Sequence, residues 1–422
     1  MDKINFSGHK KGIYLTAMIY PLWALFLSFK HFRLPLSKNL FWIFCIFLGI
    51  IHIYLPEGSN EADGYRYAER FMEFRQKPVS FDNFKASFYE EEQFIDIYQP
   101  SVTYLLSIVT GNPRWLFILF AAVFGFFYSR NIWFVLEKFP KNIGVSLILF
   151  TLFYVLICPI WEINAVRMWT ALQVFVYGAL PYLYNADKSK LLWCVAALFI
   201  HFSFILPLII IFVFPFIPKS INFFIVVFVV SLFIKEINLE QVRLFLTMYT
   251  PSFLTSRVDS YTNEEYAQTI MDAKSNLNFY VEGSKMFVRW IIAVLLIASG
   301  IWGKKMIKNQ RGLTNMVCFA LFISSLSNIF SLIPSGGRFI ILSQIFAFAA
   351  IIFFYISFKN SELRIKILSF LFKLAPVLLL FPILVMLRIG CDYYGVSLFF
   401  NPLIALFVDD NLPVIYFIKT LF

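Results

Sequence analysis

The 422-residue sequence predicts an all-α protein, a polytopic bundle of membrane-spanning helices. Three observations point to it. Hydrophobic residues make up 60% of the chain and charged residues only 14%, with a mean hydropathy of +0.74; a soluble domain is nearer half apolar and a quarter charged. The apolar residues fall in runs of about 20, the length a helix needs to cross hydrocarbon. Lysines and arginines gather in alternate short loops between the runs, the bias that orients helices in a membrane. The whole chain, residues 1–422, reads as one integral membrane domain of about 10–12 spans.

The first run, 12–28, follows MDKINFSGHKKG, which has no small-residue cleavage site, so it is expected to stay as a helix. Alternation of sides puts the N-terminus outside, whereas Lys3, Lys10 and Lys11 favour inside. Lys30, Arg33 and Lys38 make the loop before the second run, 39–55, cytoplasmic. The long, acid-rich segment 56–96 then reads as an outer insertion. The next apolar segment, 97–110, is short. If it crossed, every later basic loop would land outside, so it is expected to dip and return. Runs 115–136 and 142–160 flank Arg130, Lys138 and Lys141, and run 165–184 ends at Lys188 and Lys190. Segment 191–216 is long and contains Pro207 and Pro215. It fits a hairpin of two half-helices with His201 near the turn, or else a misplaced span boundary. Irregular backbone at membrane depth survives only where protein or water satisfies it, and such broken segments often build binding sites. Run 220–236 leads to a second outer insertion, 237–284. Runs 285–303 and 313–333 flank the densest basic cluster, Lys304, Lys305, Lys308 and Arg311; runs 337–358 and 364–388 flank Lys359, Arg364 and Lys366.

The net charge of +11 is accounted for by these cytoplasmic loops, which argues against a nucleic-acid partner. The five cysteines form no CxxC pair and read as small buried hydrophobes. No zinc spacing, GxSxG elbow, HExxH motif or DxD-type nucleotide-sugar motif occurs, so neither a metal nor a cofactor is expected.

With these sides, the chemistry-bearing residues gather at the outer ends of the runs, where a charge beside hydrocarbon is costly and usually kept for a task. Asp63-Gly64-Tyr65-Arg66-Tyr67 supplies a carboxylate and two rings suited to a sugar; equally, Asp63 caps a helix over Tyr65 to Phe74. Asp96, Tyr98 and Pro100 open the short segment, and Arg114 closes it, either as a phosphate ligand or as an interfacial anchor. Glu162, Asn164 and Arg167 share a tight turn, where Glu162 and Arg167 either pair or serve a substrate. His201 stands alone among apolar residues, either hydrogen-bonded in the core or catalytic. Pro334-Ser335-Gly336-Gly337-Arg338 reads as an anion-binding helix start or a tight turn. Arg289 and Arg388 sit just inside outer span ends, to join the cluster or reach headgroups; His52 also lies near an outer end.

This order of motifs (Asp63 to Tyr67, Asp96-x-Tyr98-x-Pro100 with Thr110-Gly111-Asn112 downstream, Asn164-x-x-Arg167, Ala197-x-x-x-His201-x-Ser203, Arg338-Phe339) resembles the EpsG family of Wzy-like bacterial polysaccharide polymerases over roughly residues 12–358. Asp-Gly-Tyr stands where the family has Asp-Tyr, leaving Tyr65 and Tyr67 as alternatives. The resemblance implies a fold like that of C-type glycosyltransferases in the bacterial inner membrane. It implies polymerisation of undecaprenyl-diphosphate-linked oligosaccharide at the outer face, with membrane lipid around it and room for a chain-length regulator as a partner. Residue by residue, the expected roles are His201, then Asp63 or Glu162, as the base. Arg114, Arg167 and Arg338 would hold diphosphate, and Tyr65, Tyr67, Asp96, Tyr98 and Asn164 the glycan. An oligosaccharide ligase would use the same arginines; a lipid-linked glycan flippase would instead need a charged path across the whole membrane.

Overall fold

A computed structural model of the chain describes residues 14–54 (residue 16 excepted), 63–90, 93–94, 96–249, 262, 278–361, 365–408 and 412–421. Lys3, Lys10, Lys11 and Arg364, the residues just before the Asp63 motif, and most of the insertion 237–284 lie outside them. The described chain is helical apart from one hairpin, β1 (Tyr89–Glu90) paired antiparallel with β2 (Gln93–Phe94). Six helical stretches are long and apolar enough to cross a membrane, and the shorter apolar helices include Ser37–Ile50 and Ile221–Phe233. The protein is a multi-pass membrane protein.

The helices that frame the site are α1 (Pro21–Lys30), α2 (Ser37–Ile50), α3 (Asp63–Gln76), α4 (Tyr98–Val109), α5 (Arg114–Leu136), α6 (Val145–Leu156), α7 (Val166–Asn185), α8 (Leu191–Ile200) and α9 (Ile205–Val213). They are followed by α10 (Ile221–Phe233), α11 (Phe279–Trp302), α12 (Arg311–Phe330), α13 (Arg338–Lys359), α14 (Lys366–Leu378) and α15 (Leu380–Gly390). Ring contacts set their directions. Phe153 meets Phe348 while Gly144, just before α6, lies beside Lys359, so α6 runs antiparallel to α13. Phe175 meets Phe346 and Tyr184 meets Phe353, so α7 runs parallel to α13. The chain therefore reverses at 157–165, through a 3-10 turn at Ile160–Ala165. Helices α2 and α5 cross closely because Gly125 leaves room for Cys45: a Cβ there would lie 2.5 Å from the Cys45 Cβ.

The basic loops share one end of the bundle. Arg33 donates to the Pro140 carbonyl at 2.5 Å, and Asn315, near the start of α12, donates to the Leu183 carbonyl near the end of α7. Segment 191–216 is two short helices broken at His201, with Pro207 in the second. Helix α9 returns toward the basic end: Phe214 packs on Phe319, in the half of α12 nearer its basic start, and Lys219 caps the carbonyls of Phe214 and Ile217. Ten residues of α8 rise about 15 Å, half the hydrocarbon thickness. Helix α4, 12 residues long, rises about 18 Å and turns directly into α5. Neither α8 nor α4 is long enough to cross.

The positive-inside rule places the basic end in the cytoplasm. Asn112→Cys and Asn309→Cys, both exposed, report on opposite ends. With Cys391 replaced, a membrane-impermeant maleimide should label Asn112→Cys in intact cells and Asn309→Cys only after permeabilisation.

Candidate active site

Helices α5, α7 and α13 run toward the basic end, and each opens on an arginine: Arg114 and Arg338 are first residues, Arg167 a second. A cation in a first helical turn opposes the macrodipole, at about 0.3–1 kcal/mol each. Such placement is stabilised where an anion arrives.

Asp96 is the hub. It is 4% exposed, and its three polar contacts use both oxygens. Oδ2 meets His201 Nδ1 at 3.0 Å and the Arg167 guanidinium at 3.5 Å, while Oδ1 accepts the Phe202 backbone N–H at 2.9 Å. That last bond satisfies a donor freed by the break between α8 and α9. The carboxylate thus ties the half-helix turn to the start of α7. Held by Asp96, Nδ1 carries the imidazole proton and Nε2 offers its lone pair. His201 Nε2 is buried and has no partner among the described residues. An unpaired buried acceptor is costly unless a ligand or water fills it.

Tyr67 approaches Arg167 from α3; burial pushes its phenol up to about 12, so it stays protonated at neutral pH. Tyr65 is half-buried and makes no such contact, which makes Tyr67 the tyrosine of the motif that faces the cluster. Asp63 opens α3 and pairs with Arg66. Gly64 brings α3 against Asn164, whose Oδ1 would lie 2.3 Å from a Cβ at that position.

Glu162 does not pair with Arg167. The four residues between them pass from a 3-10 turn into α7, and Arg167 turns to Asp96 while Glu162 feels the charges of Lys285 and Arg338. His201 in turn lies within the electrostatic field of Arg167 and Arg338. Arg338 is exposed, and its side chain makes no hydrogen bond or ion pair among the described residues. Three expectations change. Asp96 faces inward to His201 and Arg167 rather than outward to a glycan. Arg114 stands apart from the convergence expected of three arginines, its guanidinium donating to the Val408 carbonyl at 3.4 Å. Tyr98 is likewise turned inward against Phe120, its hydroxyl buried without a described partner. Sequence reading missed Lys285, which lies on α11, more than a hundred residues from Glu162, with no local pattern to announce it.

No cluster of three His, Cys, Asp or Glu residues suited to a metal occurs among the described residues. No family model, curated protein or solved structure matches the chain.

The turn before α13 fixes Arg338. Ser335 takes a left-handed conformation (φ 60°), and a Cβ on Gly336 would lie 1.8 Å from the Phe330 carbonyl oxygen. A backbone atom cannot step aside as a side chain can. Gly336→Ala should therefore cost about 1–3 kcal/mol of stability, the usual range for overpacking, and shift Arg338. Thermal unfolding in detergent checks it: a melting temperature equal to wild type would contradict the contact.

Proposed function

We propose that the chain is a membrane glycosyltransferase that joins oligosaccharide repeat units carried on undecaprenyl diphosphate into polysaccharide, at the outer face of a bacterial inner membrane. The observation that carries this reading is the bridge from His201 through Asp96 to Arg167; the charge of Arg338 also reaches His201. The motif order that resembles the EpsG family supports it independently.

In this reading the acceptor sugar hydroxyl gives its proton to His201 Nε2 as its oxygen attacks the anomeric carbon of the donor. The bond from that carbon to the diphosphate oxygen breaks, and its electron pair leaves with the lipid diphosphate. Asp96 holds the imidazole in register and stabilises the imidazolium that forms. Arg167 and Arg338 meet the negative charge gathering on the leaving group, for which a forked guanidinium is well shaped. Tyr67 and Asn164 line the approach from α3. A ligase that transfers a finished glycan to a terminal acceptor would use the same groups and differs only in product, a single transfer in place of a ladder.

The test is polymer length in cells carrying His201→Ala, Arg167→Ala or Arg338→Ala. Each should lose long polymer at normal protein level. Full-length polymer from all three would end the assignment.

A further inference from the structure

A second cationic site lies off the central cluster, where α10, α11 and α12 meet. Arg289 of α11 donates to Asn328 Oδ1 at 2.8 Å, and Asn328 Nδ2 donates to Ser231 Oγ at 2.9 Å. Asn328 and Ser231 are each two residues from the far ends of their helices, α12 and α10. The guanidinium is therefore held at the depth where two neighbouring helices end, which is headgroup depth. Neutral donors would serve this hydrogen-bond chain equally well, yet the residue is a cation, and no carboxylate pairs with it among the described residues. An arginine beside hydrocarbon with most of its five N–H donors unspent calls for an anion.

Its surroundings say from which direction that anion comes. Trp290 and Met286, its neighbours on α11, are 57% and 61% exposed on the flank of the bundle. Lys285, one turn before Arg289 on α11 and on the same face, feels Glu162 of the central cluster. Arg289 and Lys285 thus share the face of α11 whose charge reaches Glu162. Asn328 also holds the guanidinium inward, against α12, rather than letting it snorkel freely to the surface.

We infer that Arg289, oriented by Asn328 and Ser231, binds the phosphate of a membrane lipid entering from the flank between α10 and α11, ahead of the central site. That the lipid is an isoprenoid carrier rests on the proposed function; the phosphate chemistry does not.

The experiment is lipid retention by native mass spectrometry of purified protein, offered polyprenyl phosphate, phosphatidylglycerol or the phosphate-free polyprenol. Arg289→Gln keeps a donor for Asn328 and removes the charge. Asn328→Asp is nearly isosteric and gives Arg289 a carboxylate of its own. Wild type should retain a phosphate lipid about tenfold over polyprenol, a gap of ~1.4 kcal/mol, and both variants should bring retention down to the polyprenol level. Whichever phosphate lipid shows the gap identifies the source. Wild-type retention by either folded variant would overturn the inference and make the network interhelical glue, as would equal retention of all three lipids by wild type. Polymer formation is not read in this assay, so the site and the reaction can fail separately.

Discussion

Arg167→Ala should lower polymer formation by about 10²–10³-fold, the loss typical of removing one donor from a preorganised oxyanion site. Arg167 pairs with Asp96 at the start of α7 and lies near Tyr67. Its removal acts in two ways. It takes away positive charge where the leaving diphosphate becomes more negative. It also leaves Asp96, 4% exposed, with His201 as its only side-chain partner among the described residues. Breaking a buried pair from one side typically costs about 3–5 kcal/mol, so stability must be measured beside activity. Arg167→Lys separates the two effects: it keeps the charge and most of the stability, but a point charge lacks the fork that meets two phosphate oxygens. Its expected activity lies between alanine and wild type. Wild-type rates from the lysine variant would show that guanidinium geometry plays no part.

His201→Ala should cost about 10²–10⁴-fold, the range for a positioned general base. The geometry makes a sharper demand. Asp96 acts on the reacting hydroxyl only through His201, so Asp96→Asn and His201→Ala should not multiply. Residues that work as a unit lose their effect together, and the double variant should be slower than His201→Ala alone by much less than the Asp96→Asn factor, the remainder coming from the Asp96–Arg167 pair. A double variant slower by the product of the two singles would mean that Asp96 works independently of the imidazole. Asp96→Asn is the more informative single change. An asparagine can still accept the Phe202 N–H at Oδ1, so the half-helix turn is retained while the charge facing Nδ1 and Arg167 is removed.

The membrane architecture was legible because its rules are local. Runs of about 20 apolar residues, basic loops and parity predict a turn between runs 142–160 and 165–184 and, as one of two readings of 191–216, a break at His201; a turn at 160–165 and a break at His201 are present. The arginines at helix starts were legible as well, since a charge just inside an apolar run stands out. What joins them was not. Asp96 and His201 are 105 residues apart, and no periodicity links an outer insertion to the tip of a half-helix hairpin. Glu162 invited a partner five residues away, but the turn between them points the two side chains apart, and the nearby Lys285 comes from a helix distant in sequence. Gly64 looked like an interruption in an Asp-Tyr motif; it is where α3 presses on Asn164, a close approach that only tertiary packing reveals.

The most direct test uses purified protein in lipid with synthetic undecaprenyl-diphosphate repeat units and nothing else added. The proposed reaction predicts a ladder of glycan products, with one undecaprenyl diphosphate released for each bond formed and no ladder from His201→Ala. Wild-type protein that binds the donor yet forms no new glycosidic bond, or that forms it equally well without His201, would contradict it.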